Sequence, residues 1–218
     1  MSARENIIDW VRYWNNLDEN KNNEPVLNHE GYLAPVLSNK MNHFLIEDLL
    51  DVSCKCKILV GEPGIGKTTE LRRLQQRLDD QETKTICLDL KTIYELDEFK
   101  SLTYESEDWG KWLESQEEIY LLLDGYDECR LNREILANIT MHLINIDAKQ
   151  INLILTCRTS NWSTLDQDKL KSCFKVVNRY QLCPLTKKSI EKAVLDYGLE
   201  GDLFFEEIET RSLEPFCT

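Results

Sequence analysis

The sequence contains no apolar run approaching the roughly twenty residues needed to cross a bilayer, so no membrane-spanning helix is expected. Lysine and arginine never occur in a run longer than two. Their total of 26 stands against 39 aspartates and glutamates, giving a net charge of -13 and a pI near 4.8. A molecule so charged repels polyanions, and non-specific nucleic-acid binding is disfavoured. There is no internal repeat and no low-complexity segment, which leaves solenoids, propellers and tandem arrays without support. No secretory leader is expected from the opening residues. The eight cysteines fall largely in apolar segments that read as buried strands, as at Cys56, Cys87 and Cys157. Reduced thiols in a cytoplasmic protein are the expectation. Cys54 and Cys56 form the one close cysteine pair, and His29, His43 and His142 supply no second ligand pair at zinc spacing. A guanine-reading Asn-Lys-x-Asp pattern is also missing, which favours adenine.

What is present suits one full-sized domain, or a domain plus a small appendage: 218 residues, 42% hydrophobic and 30% charged. The opening residues 5–17 place Ile7, Trp10 or Val11, Trp14 and Leu17 at helical spacing and predict an amphipathic helix, with Trp10 and Trp14 read as core-filling in preference to a partner-binding face. A polar, Asn-rich stretch follows as a linker. Residues 39–51 predict a second helix, with Phe44, Leu45 and Leu49 inward. Residues 1–50 are thus a helical segment and linker.

From Cys54 the pattern changes. Five strand candidates, CKILV, TICLDL, IYLLLD, INLILT and FKVVNRYQL, alternate with helices such as 67–80, carrying Leu71, Leu74 and Leu78, and 132–146, carrying Ile135, Ile139, Leu143 and Ile146. Consecutive apolar residues in a strand are expected when helices cover both faces of a parallel sheet. The fold predicted for 51–184 is therefore a three-layer α/β/α domain around a five-stranded, mostly parallel sheet. Residues 185–218 read as the start of a helical lid, with Thr186 as N-cap, Ile190, Val194 and Tyr197 on one face and Gly198 past the end.

Directly after CKILV comes GEPGIGKTT. Gly61, Gly66, Lys67 and Thr68 match G-x-x-x-x-G-K-[ST], with a strand before and an amphipathic helix after. The nucleotide-binding set is Gly61, Glu62, Pro63, Gly64, Ile65, Gly66, Lys67, Thr68 and Thr69. Glycines let backbone N–H groups curl around an anion, and the helix directs its positive dipole end at the same place. Lys67 would reach the terminal phosphates, the Thr68 hydroxyl would ligate Mg²⁺, and Thr69 would donate to a phosphate. The strand IYLLLD runs into Asp124, Asp127 and Glu128, a crowding of carboxylates that calls for a cation. Asp124 at the strand end fits the metal. Asp127 and Glu128 lie where an attacking water would sit, with Asp127 slightly preferred as general base and Glu128 also readable as a first-turn acid of the next helix. The strand INLILT brings Thr156 and Arg158 to the same edge, where Arg158 could sense the γ-phosphate or close a surface ion pair. The acidic stretch from Glu105 to Glu118 reads as a solvated face.

With GEPGIGKTT, LLLDGYDE and LTCRTSNW in this order, the chain from about Cys54 to Leu199 resembles the NACHT family of STAND-class P-loop NTPases, the Asp-Gly-x-Asp-Glu strand end being the specific element. The resemblance implies an ATP-dependent switch, held off with ADP and self-associating when ATP-bound and triggered, in innate immunity or antiphage defence. It implies ATP or ADP and Mg²⁺ as cofactors, Lys67, Thr68 and Asp124 on phosphate and metal, Asp127 with Glu128 on the water, and Arg158 on the γ-phosphate. Family members continue into a winged-helix region and a repeat array, neither of which is expected within these 218 residues, and weak turnover is expected of the isolated chain. Two further readings share the cradle: an AAA+ motor or loader acting on nucleic acid or protein, and a scaffold gated by nucleotide without hydrolysis.

Overall fold

The computed structural model describes residues 11–18, 43–115, 117–144, 146 and 150–211. Each apolar run of the sequence forms a strand: β3 (Cys56–Gly61), β4 (Lys84–Asp89), β5 (Ile119–Asp124), β6 (Ile151–Arg158) and β7 (Val177–Leu182). These five pair in parallel in the order β7-β3-β6-β5-β4. Their runs are continuous because both faces are covered. On one face Leu59, Leu122, Ile154 and Leu182 meet Leu71, Leu74 and Leu78 of α2 (Lys67–Asp80) and Leu49 of the single turn α1 (Asp48–Asp51). On the other, Ile58, Val60, Leu121, Leu123 and Leu155 meet side chains from α3 (Leu96–Leu102), α4 (Glu107–Glu114), α5 (Asn132–Leu143) and α6 (Thr164–Lys171). Side chains alternate across a strand, so one apolar run serves two layers.

The sheet is larger than the expected five strands. Two short antiparallel strands, β1 (Trp14–Asn16) and β2 (His43–Phe44), extend it beyond β7, so that it holds seven strands among the described residues. This corrects the expectation of a helix over 5–17 within its described part. Trp14, Asn15 and Asn16 are buried in succession, and Trp14 pairs with Leu182. Sheet pairing satisfies their backbone there and outweighs the helical spacing. Residues 5–10 lie outside the described residues. The second predicted helix shrinks likewise to Asp48–Asp51, with Phe44 in a strand and residues 39–42 outside the described set.

After β7 come α7 (Lys187–Asp196) and α8 (Gly201–Arg211). Thr186 caps α7 by accepting from Ser189 N, and Ile190 and Val194 are buried. Tyr197 is the exception to the predicted apolar face, being 68% exposed beyond the helix end. The acidic residues Glu107, Asp108 and Glu114 are exposed on α4, whose other face buries Trp109 and Trp112. The described cysteines are all free thiols. Among the described residues no helix is long and apolar enough to cross a membrane.

Candidate nucleotide site

Parallel strands deliver their last residues to one edge of the sheet, and here that edge gathers the chemistry. Gly61 ends β3, Asp89 ends β4, Asp124 ends β5 and Arg158 ends β6. Asp89 and Asp124 are register partners, as are Gly61 and Arg158. A cleft of about 340 Å³ opens over this edge, lined by Pro63, Gly64, Gly66, Lys67 and Thr68 from the glycine loop and by Asp89, Lys91, Asp124, Asp127, Glu128, Thr156 and Arg158. Gly61, Glu62, Ile65 and Thr69 belong to the loop and the first turn of α2 without lining the cleft.

Gly66 takes φ +107°, a left-handed conformation that strains any residue with a Cβ, and it leads straight into Lys67 at the first position of α2. No side chain caps that helix, so its first amides are open to a ligand on the cleft side. An uncapped helix start with glycine conformations before it favours an anion. The Lys67 ammonium folds back to donate to the carbonyls of Gly61 at 2.7 Å and Glu62 at 2.9 Å. Burial lowers its pKa, an effect offset chiefly by the charge of Asp127.

Opposite, Thr156 donates to Asp124 Oδ1 at 2.5 Å and accepts from Gly125 N at 2.8 Å. One hydroxyl thereby fixes both the carboxylate and the turn that follows it. Gly125 sits at φ +73°, turning the chain into a short 3-10 segment, Tyr126–Glu128. Asp127 is nearly enclosed, its side chain 6% exposed. Its Oδ1 accepts from Arg158 N at 2.9 Å, and its Oδ2 from Arg158 Nε at 3.0 Å and Asn161 Nδ2 at 3.2 Å. Glu128 is 46% exposed and touches Arg158 Nη2 at 3.3 Å. The two acids therefore differ, although both line the cleft and both touch Arg158: Asp127 is enclosed and clamps the end of β6, whereas Glu128 is half-exposed and its contact with the guanidinium is longer. Burial, with the nearby charge of Asp127, pushes the Cys157 thiol up to about 12.

The residues suit a hard divalent cation. Asp124 and Thr68 line the same cleft, and Thr156 occupies one carboxylate oxygen of Asp124. Among the described residues no three His, Cys, Asp or Glu side chains gather to hold a metal on their own. Mg²⁺ is commonly bound by one or two carboxylates together with phosphate oxygens and water, so this sparse donor set fits it.

Asp89, Lys91 and Asn161 were not marked by the sequence pattern. Asp89 carried the same signal as Asp124, an acid closing an apolar strand, but without a flanking motif. Asn161 depends on how the chain turns after β6.

No family model matches the chain, and no curated protein does either. Among solved structures it is similar to a mutant RuvB from Thermotoga maritima, at 18% identity and TM-score 0.40, covering 68% of this chain and 46% of that one. It is also similar to PCH-2 from C. elegans, at 17% identity and TM-score 0.36, covering 62% and 36% respectively. The chain thus spans less than half the length of either.

Proposed function

We propose that this chain is the nucleotide-binding module of an ATP-dependent switch of the NACHT type, binding ATP and ADP with Mg²⁺ and hydrolysing ATP slowly. One observation carries the reading: the glycine loop at the uncapped start of α2 and the acid at the end of β5 line a single cleft of about 340 Å³. The first amides of α2 and Lys67 bind phosphate oxygens, the lysine leaving the two carbonyls it now contacts. Thr68 and Asp124 would hold the cation, which would supply positive charge beside the phosphates. Glu128 accepts the proton of the attacking water, and Arg158 follows the charge on the terminal phosphate. Asp127 holds Arg158 in position. That division of labour shifts the base from Asp127 to Glu128, because Asp127 already accepts three hydrogen bonds.

Exchange of ADP for ATP would control self-association in response to a trigger, as the sequence resemblance implies. An AAA+ motor shares the same cleft. Turnover stimulated by single- or double-stranded DNA would favour that alternative, and the charge of -13 argues against it. The test is ATP turnover by wild type and Glu128→Gln, each with measured ADP affinity. Slow wild-type hydrolysis that Glu128→Gln removes, with affinity kept, supports a hydrolysing switch. Equal near-zero rates with affinity kept support a non-hydrolysing scaffold.

A further inference from the structure

The cleft contains a pair that this reading leaves without a task. Asp89 ends β4 opposite Asp124 in register, and partners in a parallel sheet send their side chains to the same face. Adjacent strands lie about 4.8 Å apart, so two carboxylates stand side by side at the strand ends. Asp124 is answered by the Thr156 hydroxyl, whereas Asp89 is answered by Lys91: its Oδ1 accepts from Lys91 N at 3.2 Å, and its Oδ2 pairs with Lys91 Nζ at 3.1 Å. Both ends of that ion pair are exposed, at 55% for Lys91 and 39% for Asp89, and such pairs are weak enough to exchange. Both residues also line the cleft beside Thr68 and Asp124.

We propose that Asp89 is a positioning residue for the divalent cation, accepting hydrogen bonds from the cation's water ligands beside Asp124 and giving up Lys91 to do so. Mg²⁺ dehydrates reluctantly and keeps several waters, and those waters need acceptors. Carboxylates that orient a metal's surroundings from outside its ligand set change metal affinity about 10- to 100-fold. Lys91 is then a competitor for Asp89 and contributes nothing to metal affinity. This inference rests on the nucleotide reading above.

The experiment is Mn²⁺ binding to the ADP complex, followed by the paramagnetic resonance of free Mn²⁺, alongside ADP affinity in EDTA, for wild type, Asp89→Asn and Lys91→Met. Asparagine retains an acceptor for Lys91 N and so keeps the cap of the turn Leu90–Thr92. Asp89→Asn is expected to weaken Mn²⁺ binding about tenfold while leaving ADP affinity in EDTA unchanged, and Lys91→Met to leave Mn²⁺ binding equal or tighter. Wild-type Mn²⁺ affinity in Asp89→Asn overturns the inference and spares the nucleotide reading. An equal loss in Lys91→Met also overturns it, since the pair would then act as one structural unit. If wild type binds no ADP in either condition, both fall.

Discussion

The Thr156 hydroxyl stands between Asp124 and the backbone of Gly125, giving its proton to the carboxylate at 2.5 Å and taking the amide's at 2.8 Å. It ties β6 to β5 at the point where the cation would be held. Thr156→Val keeps the shape and removes both bonds, leaving the Gly125 N–H without its acceptor. The expected cost is about 1–3 kcal/mol, seen as a melting temperature lower by about 2–4 °C per kcal/mol. Mg-ADP affinity should fall with it, because Asp124 is no longer oriented. Calorimetric melting and titration of the same variant check both.

Gly125→Ala tests backbone strain alone. The nearest atom to an added Cβ is Glu128 Cβ at 3.8 Å, so there is room, but φ +73° is left-handed. A loss of about 1–2 kcal/mol is expected. A melting temperature equal to wild type would mean that the turn adopts another conformation.

Asp127 and Glu128 should separate cleanly. Asp127→Ala strands Arg158 N, Arg158 Nε and Asn161 Nδ2 together, and a destabilisation of about 1–3 kcal/mol is expected. Glu128→Gln should leave stability within about 0.5 kcal/mol and lower turnover by about 10²–10⁴-fold. Denaturant unfolding and a phosphate-release assay on both variants provide the comparison; the opposite pattern would return the base to Asp127.

Stability should decline at alkaline pH. Burial pushes the thiols of Cys157 and Cys183 up to about 12, from an ordinary value of 9.0. A thiol whose folded pKa is raised keeps its proton while the unfolded chain loses it. Its contribution is complete below pH 9 and is lost as pH climbs from 9 towards 12. Each such group costs about 1.4 kcal/mol per pH unit across that window. Melting temperatures between pH 8 and 10.5 should fall for wild type and fall less steeply for Cys157→Ala, measured relative to each protein's own value at pH 8.

Much of this was legible in the residues. Five strand candidates became five parallel strands: in β3, β5 and β6 two covered faces demand apolar side chains at most positions, while β7 carries Asn178, Arg179 and Gln181. The glycine motif announced its loop because few other residue types accept φ +107° at Gly66. The antiparallel edge was not legible. Trp14 and its neighbours carry a helical spacing, and the pairing to β7 that overrides it comes from residues far along the chain, as in Trp14 with Leu182. The difference between Asp127 and Glu128 was hidden for a related reason: adjacent acids look alike in sequence, and only the turn at Gly125 encloses one against Arg158 and Asn161 and leaves the other half-exposed at the cleft. Asp89 escaped because register between strands, unlike motif spacing, is not written in either strand.

The most direct test is a calorimetric titration of Mg-ADP into wild type and Lys67→Ala, with folding verified by circular dichroism. Saturable binding to one site in wild type, lost in the folded variant, is the expected result. Equal affinity in the two proteins, or no binding to wild type, would contradict the claim that the glycine loop and Asp124 together hold a nucleotide.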